Sequence, residues 1–241
     1  MQNRYTGDIG DFGKLGLLRA LQASGLTVGV NWYLVPDENH NSDGRYVQYL
    51  ENVDYCQLDE PLWLELSRIV KSGQREVSAL ENENIINAVF FSDPLVFAGK
   101  PKSERAIIRK TWHEKALMTL FGTDVIFVDP DNGIVVPSAL GTVKENKFVK
   151  SDELVDYYKQ GSSVIYYQHK ARRPDSFYVD QHKRLIEMIG LEKSAGLYLK
   201  FTKTSQRYYF FIVQPAHTKI ISAAIQKMLS SGWDQCFEVV G

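Results

Sequence analysis

Short apolar runs of strand length alternate with segments of helical periodicity along the chain, and this alternation constrains the fold more than any other feature. The predicted strands are Val28–Val35, Ala88–Phe91, Asp124–Asp129, Ser163–Tyr167, Leu197–Lys203 and Arg207–Val213. The predicted helices are Phe12–Ala23, Pro61–Lys71, Ser103–Phe121 with Ser103 as N-cap, Asp152–Gln160, Phe177–Ile189 and Ala216–Leu229. Such a pattern is typical of a sheet covered by helices.

The lengths of the connections predict the direction of the strands. Most consecutive strands are separated by a helix-length crossover, which parallel strands require. The last two strands are joined only by Thr204, Ser205 and Gln206, which favours an antiparallel hairpin. We therefore predict an α/β, Rossmann-like fold: a mostly parallel sheet with helices on both faces and a C-terminal antiparallel hairpin. No linker interrupts the chain, so residues 1–241 are predicted to form a single domain.

Composition and charge exclude several classes of protein. The formal net charge of −1 excludes a generally basic nucleic-acid coat, although it leaves local basic patches open. Cys56 and Cys236 are far apart and lack metal-ligand spacing, which indicates a reducing compartment and no zinc site. The N-terminus lacks the apolar stretch of a secretory signal, and the longest apolar runs are of strand length. We expect a soluble, cytoplasmic protein with no membrane partner.

Polar segments follow four of the predicted strands, beginning at residues 36, 92, 129 and 168. Parallel α/β sheets bind ligands outside the carboxyl ends of their strands, so all four segments are predicted to lie at one edge. The segment after the third strand carries Asp129, Asp131 and Asn132. Asp129 and Asn132 offer acceptors to an exocyclic amine, and Asp131 suits a general base or a ligand of a divalent cation. We predict these residues to be catalytic, although Asn132-Gly133 is also a turn signal.

A glycine-rich segment with two carboxylates precedes the first predicted helix. Asp8 or Asp11 suits a helix cap, and Lys14 is available to bind an anion or a carboxylate. A cap alone is one interpretation of the segment. The other is close approach to a backbone or a ligand, because each helical glycine costs about 1 kcal/mol relative to Ala. The glycines in question are Gly10, Gly13 and Gly16.

The segment from Pro36 to Tyr46 carries Asp37, Asn41 and Asp43. It suits either a solvated loop or a site for the ribose or amino-acid part of a nucleotide-like cofactor. Gly44 is its one glycine, so a phosphate-binding backbone loop is not predicted.

The segment from Tyr166 to Arg173 combines a histidine with aromatic and cationic residues. His169 is a candidate catalytic residue on this polar loop. A nucleic-acid contact through phosphate neutralisation and stacking is one interpretation, and a solvated basic loop is the other. The candidate nucleic-acid-binding residues are Tyr167, Lys170, Arg172 and Arg173.

The order of these motifs resembles that of the bacterial large-subunit ribosomal RNA adenine methyltransferases, a class I family dependent on S-adenosylmethionine. Their N-terminal pattern H-x-G-N-x-x-D-x-x-K-H is matched by Gly7, Asp11 and Lys14, with Tyr5 and Asp8 in the His and Asn places. Their pattern Y-L-D-T-H-x-G-x-G-R-Y is framed here by Tyr33-Leu34 and Gly44-Arg45-Tyr46, around a longer segment with fewer glycines. Their D-P-P-Y motif is matched by Asp129 and Pro130 and continues with Asp131 and Asn132.

The resemblance implies a Rossmann-like methyltransferase that transfers a methyl group from S-adenosylmethionine to a base amine of DNA or RNA. The residues that it places near the cofactor are Asp8, Asp11, Lys14, Asp37, Asn41 and Asp43. Asn132 stands where the family has an aromatic residue that stacks on the target base, and Tyr166 or Tyr167 would have to supply that contact.

Two alternatives keep the same predicted pocket. One is a hydrolase of nucleic acid or nucleotides, a glycosylase or a nuclease, in which Asp129 and Asp131 activate water. The other is a non-catalytic nucleic-acid-binding protein on the same scaffold, because fold does not fix function.

Overall fold

The computed structural model of the protein describes residues 1–38, 44–82, 84–191 and 197–240. The helices are α1 (Ile9–Gln22), α2 (Val53–Cys56), α3 (Glu60–Ser72), α4 (Lys102–Thr119), α5 (Ser151–Lys159), α6 (Asp175–Ile189) and α7 (Thr218–Ser230). The strands are β1 (Val28–Asn31), β2 (Val89–Phe91), β3 (Val125–Val128), β4 (Gly133–Ile134), β5 (Phe148–Val149), β6 (Ser163–His169), β7 (Tyr198–Phe201), β8 (Arg207–Ile212) and β9 (Phe237–Val239). In these ranges we find no helix with the length and apolar character needed to cross a membrane.

The described strands form one seven-stranded sheet in the order β2-β1-β3-β6-β8-β7-β9 and a small second sheet of β4 and β5. Strands β2, β1, β3 and β6 are parallel, and β8 is inserted antiparallel between β6 and β7. The predicted α/β, Rossmann-like class with its C-terminal hairpin is confirmed. The expectation that the strands outside the hairpin are parallel is confirmed for β2, β1, β3 and β6. The hairpin joins them through an antiparallel pairing of β8 with β6, and β9, which was not predicted, pairs antiparallel with β7.

Helices cover both faces of the sheet, as the alternation of side chains along each strand requires. In β3, Val125 and Phe127 belong to a core shared with α1, α3 and α7, whereas Ile126 and Val128 belong to a core shared with α4, α5 and α6. The strand is fully buried on both sides, which explains its unbroken apolar sequence.

Two predicted boundaries differ from the structure for local reasons. Strand β1 ends at Asn31, four residues early, because the Asn31 side chain accepts a hydrogen bond from the Tyr33 amide at 2.9 Å and Tyr33 turns the chain with a φ of 45°. Helix α4 begins at Lys102, and its N-cap is the extended Pro101, not Ser103. Ser103 lies inside the first turn and makes no capping bond.

Candidate functional site

A polar cavity of about 380 Å³ opens at the carboxyl ends of β1, β3 and β6, beside the start of α1. It is lined by Met1, Tyr5, Asp8, Asp11, Lys14, Glu38, Gly44, Tyr46, Asp129, Pro130, Asp131, Asn132, Lys147, Tyr167, His169, Ser205 and Arg207. Three of the four predicted strand-end segments therefore meet here. The segment after β2 does not line the cavity: Asp93 pairs with Lys115 at 3.4 Å, and Ser92 donates to Glu81.

Lys14 lies at the centre of a buried ion-pair network at the floor of the cavity. Its Nζ lies 2.8 Å from Asp11 Oδ1 and 2.5 Å from Asp129 Oδ2. Burial alone would lower the pKa of Lys14, but the two carboxylates outweigh it and raise the pKa above its ordinary value. The raised pKa favours the charged form of the lysine, which holds the Asp129 side chain in place at the end of β3.

Asp131, the second carboxylate of this segment, is also held by cations. Its Oδ1 lies 2.8 Å from the Met1 ammonium, and its Oδ2 accepts a hydrogen bond from Gln2 Nε2 at 2.5 Å. Burial would raise the pKa of Asp131, but these contacts and Lys147, at 3.9 Å, lower it below the ordinary value. A carboxyl with a lowered pKa is a weak proton acceptor near neutral pH.

The Asn132 side chain lines the cavity and forms no hydrogen bond with a described residue. Its backbone is fixed on two sides: its amide donates to the Lys147 carbonyl at 3.1 Å, and its carbonyl accepts from the His169 amide at 3.2 Å. The carboxamide is thus presented to the cavity from a rigid backbone and is available to a ligand.

Helix α1 begins at the cavity because Asp8 is its N-cap. Asp8 Oδ1 accepts hydrogen bonds from the amides of Gly10, at 2.8 Å, and Asp11, at 3.0 Å. The capping interpretation is correct for Asp8, and the same residue also lines the cavity. Asp11 instead accepts from the Gly7 amide at 2.9 Å and pairs with Lys14.

The helical glycines of α1 all lie in close contact with side chains from the C-terminal half of the chain. A Cβ atom at Gly10, Gly13 or Gly16 would collide with Arg207, Phe201 or Trp233 respectively. The prediction that these glycines allow a close approach is therefore correct. The groups that approach them are side chains, whereas the prediction named a backbone or a ligand.

The residues after β1 are only partly brought to the cavity. Glu38 lines it and forms an ion pair with Lys147. Asp37 is exposed, accepts a hydrogen bond from the Arg4 amide at 3.2 Å and does not line the cavity. Asn41 and Asp43 lie outside the described residues.

The residues at the end of β6 divide between the cavity and the surface. Tyr167 and His169 line the cavity, and desolvation by burial raises the pKa of Tyr167 to about 12. Lys170 pairs with Asp175 at 2.8 Å, away from the cavity. Arg172 and Arg173, which follow Lys170 in the chain, are exposed, and the Arg173 guanidinium lies 5.5 Å from the Phe177 ring centroid.

Arg207 is a cavity residue that the sequence predictions did not identify. It is 7% exposed and stands at the first position of β8. Because β8 runs antiparallel to β6, its start lies at the same edge as the ends of the parallel strands. The sequence did contain a signal for this position: Arg207 is a cation at the start of an apolar strand, directly after the hairpin turn.

No group of three or more His, Cys, Asp or Glu residues suitable for a metal ion occurs in the described part of the chain. Comparison of the sequence with models of known protein families and with curated proteins finds no match in either case. The functional argument therefore depends on the geometry of the cavity.

Proposed function

We propose that the protein is a methyltransferase that uses S-adenosylmethionine to methylate an amine of a nucleic-acid base. One observation carries the proposal: the Asp129–Asn132 segment at the end of β3 and the Asp8–Lys14 segment at the start of α1 line one cavity. These are the segments for which the sequence resembles the ribosomal RNA adenine methyltransferases, and they are 115 residues apart between Lys14 and Asp129.

The charge of the cavity fits this cofactor. Carboxylates outnumber cationic groups among the lining residues, even when the Met1 ammonium is counted. S-adenosylmethionine carries a sulfonium and an ammonium against one carboxylate, so its net positive charge complements the excess of anions. The volume of about 380 Å³ lies within the ordinary range of small-molecule sites.

The protonation states favour methyl transfer over the hydrolase alternative. A hydrolase needs a carboxyl that takes a proton from water, whereas Asp129 is paired with Lys14 and Asp131 has a lowered pKa. Methyl transfer to an amine depends mainly on positioning and on fixed acceptors. Paired carboxylates and an unengaged carboxamide meet that need.

The chain's own residues have separable tasks in this mechanism. Asn132 and Asp129 accept hydrogen bonds from the target amine and orient its lone pair. Tyr167 offers a ring at the cavity wall for the base, and Arg172 and Arg173 offer exposed charges for phosphates in the segment that follows β6. When bound, S-adenosylmethionine supplies the methyl group from its sulfonium.

Isothermal titration of the wild-type protein with S-adenosylhomocysteine tests the proposal. We expect one-site binding, with competition by S-adenosylmethionine. Absence of binding at millimolar ligand overturns the proposal. Cleavage of DNA or RNA without added cofactor, abolished in Asp131→Ala, would instead establish the hydrolase. Nucleic-acid binding that survives both Asp129→Ala and Asp131→Ala, with no cofactor bound, would indicate a non-catalytic protein.

A further inference from the structure

Arg207 is a buried cation without a carboxylate partner among the described residues. Its Nε donates to the Ser205 carbonyl at 3.1 Å and its Nη2 to Ser205 Oγ at 2.8 Å. Its Nη1 forms no hydrogen bond with a described residue, although the side chain lines the cavity and only 7% of the residue is exposed. The other two cationic side chains of the lining, Lys14 and Lys147, are both ion-paired.

The described residues around Arg207 stabilise its charge without forming an ion pair with it. Its guanidinium lies 5.9 Å from the Tyr167 ring centroid and 5.5 Å from that of Phe201. Burial would lower the pKa of Arg207, but its interactions with Tyr167, Tyr209, Asp8 and Asp11 keep the pKa above the ordinary value. The group is therefore charged at all physiological pH values, and an oxyanion would complete its hydrogen bonding.

Arg207 and Asp8 flank the same point at the first turn of α1. A Cβ atom at Gly10 would lie 2.8 Å from Arg207 Cζ and 2.9 Å from Asp8 Oδ1. The two groups nevertheless form no salt bridge with each other, and both line the cavity. A cation and an anion that are close but unpaired match the carboxylate and ammonium of one α-amino acid.

We propose that Arg207 binds the carboxylate of the amino-acid group of S-adenosylmethionine, with Asp8 beside it to receive the ammonium. The inference rests on the proposed function. A guanidinium pairs with carboxylates and phosphates alike, so the charge of the cavity decides between them. A carboxylate is favoured because it brings only one negative charge into a cavity that already holds an excess of carboxylates.

The experiment compares two ligands that differ in the amino-acid group alone. S-adenosylhomocysteine and 5′-methylthioadenosine share the adenosine and the thioether, but the second has no carboxylate or ammonium. Isothermal titration is carried out on the wild type, Arg207→Gln and Arg207→Lys, with Arg68→Gln as control because Arg68 is exposed and does not line the cavity. Circular dichroism melting checks that each variant is folded.

We expect Arg207→Gln to bind S-adenosylhomocysteine about tenfold to a hundredfold more weakly than the wild type, since it lacks the hydrogen bonds to a charged group. Binding of 5′-methylthioadenosine stays within about twofold, and Arg207→Lys is intermediate because a lysine keeps the charge but not the paired donors. Arg68→Gln resembles the wild type.

Each other outcome overturns the inference in a distinguishable way. Unchanged S-adenosylhomocysteine affinity in Arg207→Gln refutes it while leaving the methyltransferase proposal intact. Equal weakening of both ligands assigns Arg207 to the framework of the cavity. Weakened binding of a single-stranded oligonucleotide with unchanged cofactor affinity assigns it to a phosphate. A wild type that binds neither thioether refutes the proposed function itself.

Discussion

Lys14 Nζ lies 2.8 Å from Asp11 Oδ1 and 2.5 Å from Asp129 Oδ2, so a single side chain joins helix α1 to the end of β3. All three side chains are almost completely buried. The arrangement fixes the relative position of the two segments that line the cavity. It also sets the charge of the floor, because one cation is shared by two carboxylates.

Removal of the lysine should be costly for this reason. We expect Lys14→Met to lower the free energy of unfolding by about 3–5 kcal/mol, because two buried carboxylates are then left without their cation. Urea unfolding at pH 7.5 measures the decrease. The double variant Lys14→Met with Asp129→Asn should recover part of the lost unfolding free energy, because only one buried carboxylate, Asp11, is then left without its cation. A decrease below about 1 kcal/mol would contradict the buried network.

Asn132→Ala separates catalysis from folding. Its carboxamide makes no hydrogen bond with a described residue, so we expect a change in unfolding free energy within about 0.5 kcal/mol. If the proposed function is correct, removal of an acceptor for the target amine lowers the methyl-transfer rate by about a hundredfold. Transfer of labelled methyl groups from S-adenosylmethionine to DNA or RNA measures the rate. Unchanged transfer would remove Asn132 from the site.

The exposed arginines after β6 test the nucleic-acid face. We expect Arg172→Gln with Arg173→Gln to weaken binding of single-stranded RNA. The slope of log affinity against log salt should become shallower by about 0.7 for each phosphate that is no longer neutralised. Fluorescence anisotropy at several salt concentrations measures both. Arg68→Gln removes one exposed charge elsewhere and should leave both unchanged. Equal slopes in the double variant and the wild type would refute the assignment of these arginines to phosphates.

His182 gives the protein a pH-dependent stability unrelated to the cavity. Burial lowers the pKa of His182 from 6.5 to about 4. The unfolded chain therefore binds a proton more readily, and stability falls as pH decreases from about 6.5 towards 4. The decrease due to this residue is about 3 kcal/mol across that window.

Urea unfolding at pH 7.5 and 4.5 tests the assignment. Between the two pH values, the unfolding free energy of His182→Gln should fall by about 2–3 kcal/mol less than that of the wild type, whatever its stability at pH 7.5. His217→Gln serves as the control and should retain the part of the pH dependence that His182 causes. Identical decreases in His182→Gln and the wild type would show that His182 is not held neutral.

The close contact between Gly13 and the Phe201 ring predicts how Gly13→Ala changes the stability of the protein. Alanine raises intrinsic helix propensity by about 1 kcal/mol over glycine. A Cβ atom at Gly13 would nevertheless collide with the Phe201 ring, and overpacking costs about 1–3 kcal/mol. We expect Gly13→Ala to be destabilising in thermal unfolding, and Phe201→Leu in the same chain to relieve it. A stabilised Gly13→Ala would show that the ring moves freely.

Much of the fold could be predicted because local periodicity is enough to define its elements. The six predicted helices all occur, with ends within three residues of those in the structure, and six predicted strands occur in the large sheet. The sequence did not reveal β9 or the pair β4 and β5, because strands of two or three residues show no alternation. Strand β1 ends earlier than predicted because the chain turns at Tyr33, and the apolar sequence there does not indicate a turn.

The α/β class and the delivery of Asp129, Asp131 and Asn132 to the end of a buried strand follow from the spacing of apolar residues, so both could be predicted before the fold was known. The neutralisation of particular charges, in contrast, is a property of the folded chain. Lys14 reaches Asp129 across 115 residues, whereas Arg207 reaches the cavity because β8 runs antiparallel to its neighbours. Ion pairing depends on distances of a few ångströms between remote segments, and local sequence does not encode such distances.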